Sequence, residues 1–213
     1  MKNYDKLMID QINEIDDGSK LLLHACCGPC SSAVIERLSS KFLIDILFYN
    51  PNITDEIEYY KRLDELKRVV ELMPHKYEVN VLDGGFNNRL FFDVTRGHEK
   101  DLERGERCYI CYNLRLEETA RYAEKNNYPF FATTLTLSPY KKVDWLNEIG
   151  ENLNNKYNTT YLYSDFKKKN GYKRSIEISK ELNLYRQDYC GCIYSLRDRQ
   201  EKRKDGIIDI VVK

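Results

Sequence analysis

Short apolar runs of strand length alternate with helix-length segments along almost the whole chain, and this alternation constrains the fold more than any other feature. Runs at 20–25 (KLLLHA), 42–49 (FLIDILFY), 77–82 and 130–134 read as strands, with further candidates at 159–163 and 207–212. Helices are expected at 3–17, 31–39, 55–72, 87–94, 111–126 and 175–182, and another is marked by Trp145, Leu146, Ile149 and Leu153. Ser31 or Ser32 is available to cap the second of these and Thr54 the third, while Leu114, Leu116, Ala120 and Ala123 space one face of the fifth. No repeat, low-complexity tract or linker breaks the pattern, so we expect a single α/β domain over 1–213, three layers around a mostly parallel sheet. In such sheets ligands gather at the carboxyl ends of the strands. The first strand delivers His24-Ala25-Cys26-Cys27 to that edge.

Acidic and basic residues balance at 34 each, so net charge gives no hint of a nucleic-acid partner. No apolar run reaches the length of a membrane span. Asp5, Asp10, Glu14, Asp16 and Asp17 near the start are the opposite of a basic leader. A cytoplasmic protein with no membrane partner is therefore expected. Structural disulfides are disfavoured there, and seven cysteines need another explanation.

Those cysteines fall in three groups: Cys26, Cys27 and Cys30 around Gly28-Pro29, then Cys108 and Cys111, then Cys190 and Cys192 about Gly191. Each group sits where a strand or helix begins or ends, and its glycines and proline let the backbone turn tightly. Scattered core cysteines would not group in this way. A zinc site takes four thiolates from two Cys-x-x-Cys knuckles, which would leave three cysteines over. A cubane iron–sulfur cluster also takes four. Adjacent Cys26 and Cys27 do not readily aim both sulfurs at one metal. They suit two neighbouring centres, or else a strained, redox-active vicinal disulfide bond.

The segments LLLHACCGPCSS, CYIC, TTLTLSPYKK and LYRQDYCGCIYSLRDR resemble the QueH family of epoxyqueuosine reductases, from about Lys20 to Arg199. The resemblance implies a fold like that of the adenine-nucleotide α-hydrolases (HUP-like), a four-iron–four-sulfur (4Fe-4S) cluster and an adjacent mononuclear iron. It implies an oxidoreductase of queuosine biosynthesis that deoxygenates epoxyqueuosine at the anticodon wobble position of tRNA. Carried onto this chain, it places the cluster on Cys26, Cys108, Cys111 and Cys190, and the single iron on Cys27, Cys30 and Cys192. Family members can carry aspartate where this chain has Cys30. Removing an epoxide oxygen to leave an alkene takes two electrons and two protons and releases water. An external electron donor is therefore expected, with the single iron as a Lewis acid beside the cluster. His24, Tyr109, Tyr189, Tyr194 and Asp188 are candidate proton donors or orienting groups; for His24 an ordinary strand histidine satisfied by backbone competes with the catalytic reading.

The stretch 166–174 (FKKKNGYKR) interleaves Lys167, Lys168, Lys169, Lys173 and Arg174 with aromatic rings, a pattern suited to phosphates and stacked, unpaired bases. Lys141 and Lys142 form a further candidate RNA contact. Arg197, Arg199, Lys202, Arg203 and Lys204 make another basic group, tempered by Asp198 and Glu201. Two rival readings follow from the same residues. An ATP-dependent thiolase or sulfonucleotide reductase would need a phosphate loop after the first strand, where Pro29 lacks an amide donor and thiolates would repel phosphate. A zinc-stabilised RNA-binding module would leave the vicinal pair and the excess cysteines unexplained. The oligomeric state is not legible from these residues.

Overall fold

A computed structural model describes residues 2–204; the strand expected at 207–212 lies outside the described residues. The elements run α1 (Tyr4–Glu14), β1 (Ser19–His24), α2 (Gly28–Leu38), β2 (Phe42–Phe48), α3 (Glu56–Leu72), β3 (Val79–Asp83), α4 (Arg89–Val94), α5 (Glu106–Lys125), β4 (Phe130–Thr133), a 3-10 turn (Thr134–Leu137), α6 (Val143–Leu153), β5 (Thr160–Tyr161), α7 (Gly171–Glu181) and α8 (Ile193–Lys204). Five parallel strands form one sheet in the order β3-β2-β1-β4-β5.

β1 is central and apolar on both faces, as a strand covered on both sides must be. Leu21 and Leu23 join Ile44, Ile46 and Phe48 in a core closed by Val34, Leu63 and Leu66 of α2 and α3. Leu22, Leu47 and Phe131 face the other way, against Leu116 and Ala120 of α5 and Leu146 and Ile149 of α6. The chain runs from β1 out to β2 and β3, then crosses back to β4 on the opposite side of β1. That reversal opens a crevice at the carboxyl ends of β1 and β4, the usual ligand position in an open α/β sheet.

Of the element boundaries that differ from expectation, among them the start of α7 at Gly171 rather than Ser175, two matter for the site. α2 begins at Gly28 rather than Ser31, with Cys27 as its N-cap. Ser31 and Ser32 do not cap it; they lie inside the helix and donate back to the carbonyls of Cys27 and Pro29. Pro29 fits because the first turn of a helix has no use for its missing amide. α5 starts at Glu106, five residues before the expected start, so both cysteines of the central pair are helical. Asp55, not Thr54, caps α3, its carboxylate accepting from the Glu58 amide at 2.8 Å. The helix α8 following the last cysteine pair was not expected at all; its charged sequence carries no clear apolar face.

Candidate metal centre

The first cysteine group forms at the end of β1. Cys26 ends the strand side of the turn, Cys27 caps α2, and Cys30 lies in the first turn of that helix. Their three sulfurs lie within 4.8 Å of one another. Cys26 and Cys27 are 3.7 Å apart at Sγ, far from the ~2.05 Å of a bonded pair. All seven cysteines are free, so the vicinal disulfide is not formed. The turn is pinned by Asn50, whose amide donates to the Ala25 carbonyl at 2.8 Å.

The other four cysteines line one pocket with Asn52, Phe91, Glu103, Arg107, Tyr112 and Ser195. Cys108 and Cys111 sit one turn apart at the start of α5, hence on one helix face. The Arg104 amide donates to Cys108 Sγ at 3.3 Å. Arg107, fully buried, ties down the preceding loop by donating to the carbonyls of His98, Glu99 and Asp101. Cys190 and Cys192 flank Gly191, whose φ of +111° belongs to the left-handed region that favours glycine. Cys192 Sγ accepts from the Ser195 amide at 3.3 Å, the place an N-cap side chain takes at the start of a helix. Ser195 Oγ in turn accepts from the Cys190 amide at 3.2 Å.

Two further anchors hold this last loop. The Thr54 amide donates to the Gly191 carbonyl at 3.1 Å. Arg62, 1% exposed, donates to the carbonyls of Cys190 and Tyr189 while paired with Glu58 at 2.7 Å. Two cations lie among the thiols themselves. Lys141 is buried, with Nζ 3.1 Å from Cys190 Sγ and 3.8 Å from Glu103. Arg115 is wholly buried, one helical turn after Cys111, and its charge acts on Cys111, Cys190 and Cys26, one cysteine from each group. Its Nη2 has no hydrogen-bond partner among the described residues.

The cysteines therefore divide three plus four: Cys26, Cys27 and Cys30 have their sulfurs within 4.8 Å of one another, while Cys108, Cys111, Cys190 and Cys192 share one pocket lining. The division expected from the resemblance cuts across both sets. Hydrogen bonds from Cys26 and Cys30 pull the Cys27 thiol well below its ordinary range, while Cys26 and Cys30 are pushed up by the same sharing. Three thiols this close hold one charge more readily than three. Burial raises Cys108, lifts Cys111 to about 11 and Cys192 to about 12. Thiols held protonated must release protons to a metal, so loading here is favoured by rising pH.

His24 is wholly buried. Its Nε2 faces the Tyr49 carbonyl at 3.1 Å and so carries the proton, leaving Nδ1 to accept from Thr133 Oγ1 at 2.9 Å. Burial, helped by the Arg115 charge, pushes its pKa down to about 3. The imidazole is neutral and fully engaged, an arrangement that joins β1, β2 and β4 rather than one that offers a proton.

The lysines and arginine read as RNA contacts separate into two kinds. Lys141 points inward at Cys190, away from solvent. Lys142 lies 3.6 Å above the Trp145 ring. Lys167 is taken up by Asp165 at 2.8 Å and the Thr136 carbonyl, and Arg174 by Glu36, Glu177 and Glu181. Lys168, Lys169 and Lys173 are exposed. Asp188 is paired with Arg199 and Arg203. Tyr194 packs beside Phe91, Cys111 and Cys192, and Tyr109 stands edge-on to Trp145. Tyr189 lies under the Arg62 guanidinium. Sequence reasoning missed Arg62, Arg107 and Arg115 as site residues. For Arg115 a signal existed, since it lies four and seven residues beyond Cys111 and Cys108 on the same helix stripe.

Among the described residues no helix is long and apolar enough to cross a membrane. A family profile described as "QueH: Epoxyqueuosine reductase QueH" matches residues 21–198. The epoxyqueuosine reductase QueH of Haemophilus influenzae is 40% identical over 196 residues, 90% of this chain and 78% of that protein. The protein of the same name from Streptococcus pyogenes is 36% identical over 213 residues, 96% of this chain and 84% of that one. That of Thermotoga maritima is 34% identical over 189 residues, 87% and 94% of the two chains. With its first cysteine group at the carboxyl end of β1 and matches of this extent, the chain belongs to the QueH family of epoxyqueuosine reductases.

Proposed function

We propose that this chain reduces epoxyqueuosine to queuosine in the anticodon of tRNA, using a four-iron–four-sulfur cluster and a single iron held by its seven cysteines. The observation that carries the metal reading is the three-plus-four grouping of free thiols at the carboxyl edge of the sheet. The donor set fits: a cubane takes four cysteines, and three remain for a second metal with a coordination position left open. In this reading the four pocket thiols hold the cluster and Cys26, Cys27 and Cys30 the single iron. When bound, such centres supply single electrons and a Lewis acid, neither of which any side chain of this chain offers. The electrons come from an external donor, and epoxyqueuosine in tRNA is the substrate.

The protein's own residues then have defined tasks. Arg62, Arg107 and the Thr54 amide fix the loops that carry the thiols, so that the site is organised before any substrate arrives. Phe91 and Tyr112 give the pocket apolar walls and keep water from the thiols. Tyr194, packed beside Cys111 and Cys192, is the phenol to which this reading gives proton delivery. Exposed Lys168 and Lys169, and Lys173 beside Glu177 at 3.9 Å, remain for phosphate contact.

Anaerobically reconstituted protein, given a chemical reductant and tRNA carrying epoxyqueuosine, should convert that nucleoside to one lacking a single oxygen on mass analysis of the digest. Iron and sulfide per chain are measured on the same sample. Unchanged nucleoside from fully loaded protein would reject the activity, and zinc without sulfide would reject the centre.

A further inference from the structure

We infer that Arg115 and Lys141 set the reduction potential of the thiolate centre, acting as its two buried counter-cations. The inference rests on the metal reading above and adds to it two residues that do not ligate metal. Both side chains lie in the interior, where an unpaired cation is strongly disfavoured and must be matched by nearby negative charge. Lys141 meets that requirement through Cys190 Sγ at 3.1 Å and, more distantly, Glu103 at 3.8 Å.

Arg115 is the more telling case. Its Nε donates to the Cys111 carbonyl at 3.3 Å, and Nη1 lies 3.5 Å from Asn50 Oδ1, at the limit of a hydrogen bond. No carboxylate pairs with it among the described residues. Its Nη2 is buried and without a partner there, a donor left for an anion that the polypeptide does not itself provide. The negative charge it faces is that of the cysteines around it, drawn from all three groups. Guanidinium and ammonium also divide the work by shape. The planar guanidinium reaches between groups, while the compact ammonium sits on one sulfur.

Reduction adds negative charge to a cysteine-ligated centre. Fixed positive charge and N–H donors to sulfur stabilise the reduced form and raise the potential. Only the part of a charge-assisted bond that strengthens on reduction moves the potential, and losing it should lower the reduced-to-oxidised ratio at a fixed potential by about tenfold. For a one-electron couple, tenfold corresponds to about 59 mV.

The test is a redox titration of anaerobically purified protein, followed by visible and electron paramagnetic resonance spectra, with iron and sulfide counted for every sample. Lys141→Gln and Arg115→Gln should each titrate at lower potential than the parent, by the tenfold change in ratio given above. The charge-keeping Lys141→Arg and Arg115→Lys should stay within about threefold of it, which is well under the value of one charged hydrogen bond. Both neutral variants titrating at the parental potential with full metal would overturn the inference. Should the neutral variants not retain metal, loss of metal from the charge-keeping variants to the same extent would assign these residues a purely steric role and overturn it equally; retention by those variants would support it. A parent protein without iron and sulfide would instead reject the underlying metal reading, and the two failures are thus distinct.

Discussion

Arg62→Met removes the tether of the last cysteine pair and tests whether the site is organised from behind. Arg62 is 1% exposed and joins three things: the Glu58 carboxylate at 2.7 Å, the Cys190 carbonyl at 3.2 Å and the Tyr189 carbonyl at 3.4 Å. Methionine keeps much of the volume and none of the bonds. Removing one partner of a buried ion pair costs about 3–5 kcal/mol, chiefly through the charge left behind. Glu58 is 12% exposed and keeps the Tyr185 hydroxyl at 3.0 Å, so the lower end applies. For a domain of this length ~3 kcal/mol lowers the melting temperature by roughly 6–12 °C. The protein should remain folded, given total stabilities of about 5–15 kcal/mol. Urea denaturation of the reduced, metal-free protein reads the stability, and iron per chain after reconstitution reads the site. A double-mutant cycle with Glu58→Gln isolates the pair from the two carbonyl bonds. Should Arg62→Met melt with the parent and bind the same iron, the tether has no organising role and the reasoning fails.

Gly191→Ala places a methyl 2.8 Å from Ile53 Cγ1 at a φ of +111°, so strain of about 1–3 kcal/mol plus a displaced cysteine pair is expected. A melting curve and an iron assay check it; parental values for both would count against the role given to this turn. For His24, the folded-state pKa of about 3 lies below the unfolded value of 6.5, so the unfolded chain takes up the proton first as pH falls. Its stabilisation is complete above pH 6.5 and declines between that point and pH 3, by about 2 kcal/mol at pH 5. Urea midpoints of metal-free protein at pH 7 and 5 should therefore separate less in His24→Gln than in the parent, and equal separations would contradict the buried, neutral imidazole.

Period and punctuation made the sheet legible. β1 to β4 lie within two residues of where the apolar runs place them, because a central strand buried on both faces can be written only in apolar residues. Helix starts were harder. Ser31 and Ser32 are good N-caps by composition, yet the helix begins at Gly28, where the strand ends and the turn is tightest. α8 escaped notice because a helix stabilised by its start and by ion pairs, such as Asp188 with Arg199 and Arg203, needs no apolar stripe. The grouping of the cysteines was plain from the sequence. Their partition was not, since spacing along the chain says nothing of which loops meet. Nor does a basic run reveal its own neutralisation: the three glutamates around Arg174 come from two different helices.

Helix starts also explain how adjacent Cys26 and Cys27 are held differently although their sulfurs lie 3.7 Å apart. Cys26 ends the turn from β1 and packs against the core on the side of the sheet that α5 covers. Cys27 caps α2, and Cys30 follows in its first turn on the other core. One residue thus separates a sulfur presented to the α5 side from one held at a helix N-terminus. Cys192 repeats the capping role on α8, and Cys108 and Cys111 open α5. Every cysteine except Cys26 and Cys190 therefore caps a helix or lies in its opening turns, yet burial still raises Cys108, Cys111 and Cys192, so helix starts alone do not hold them as thiolates. The two exceptions are served by side-chain cations instead: Lys141 on Cys190, and Arg115 acting on both. Negative charge on sulfurs this deeply buried calls for the two buried cations as well as the helix starts, which is why neutralising either cation should be felt at the centre.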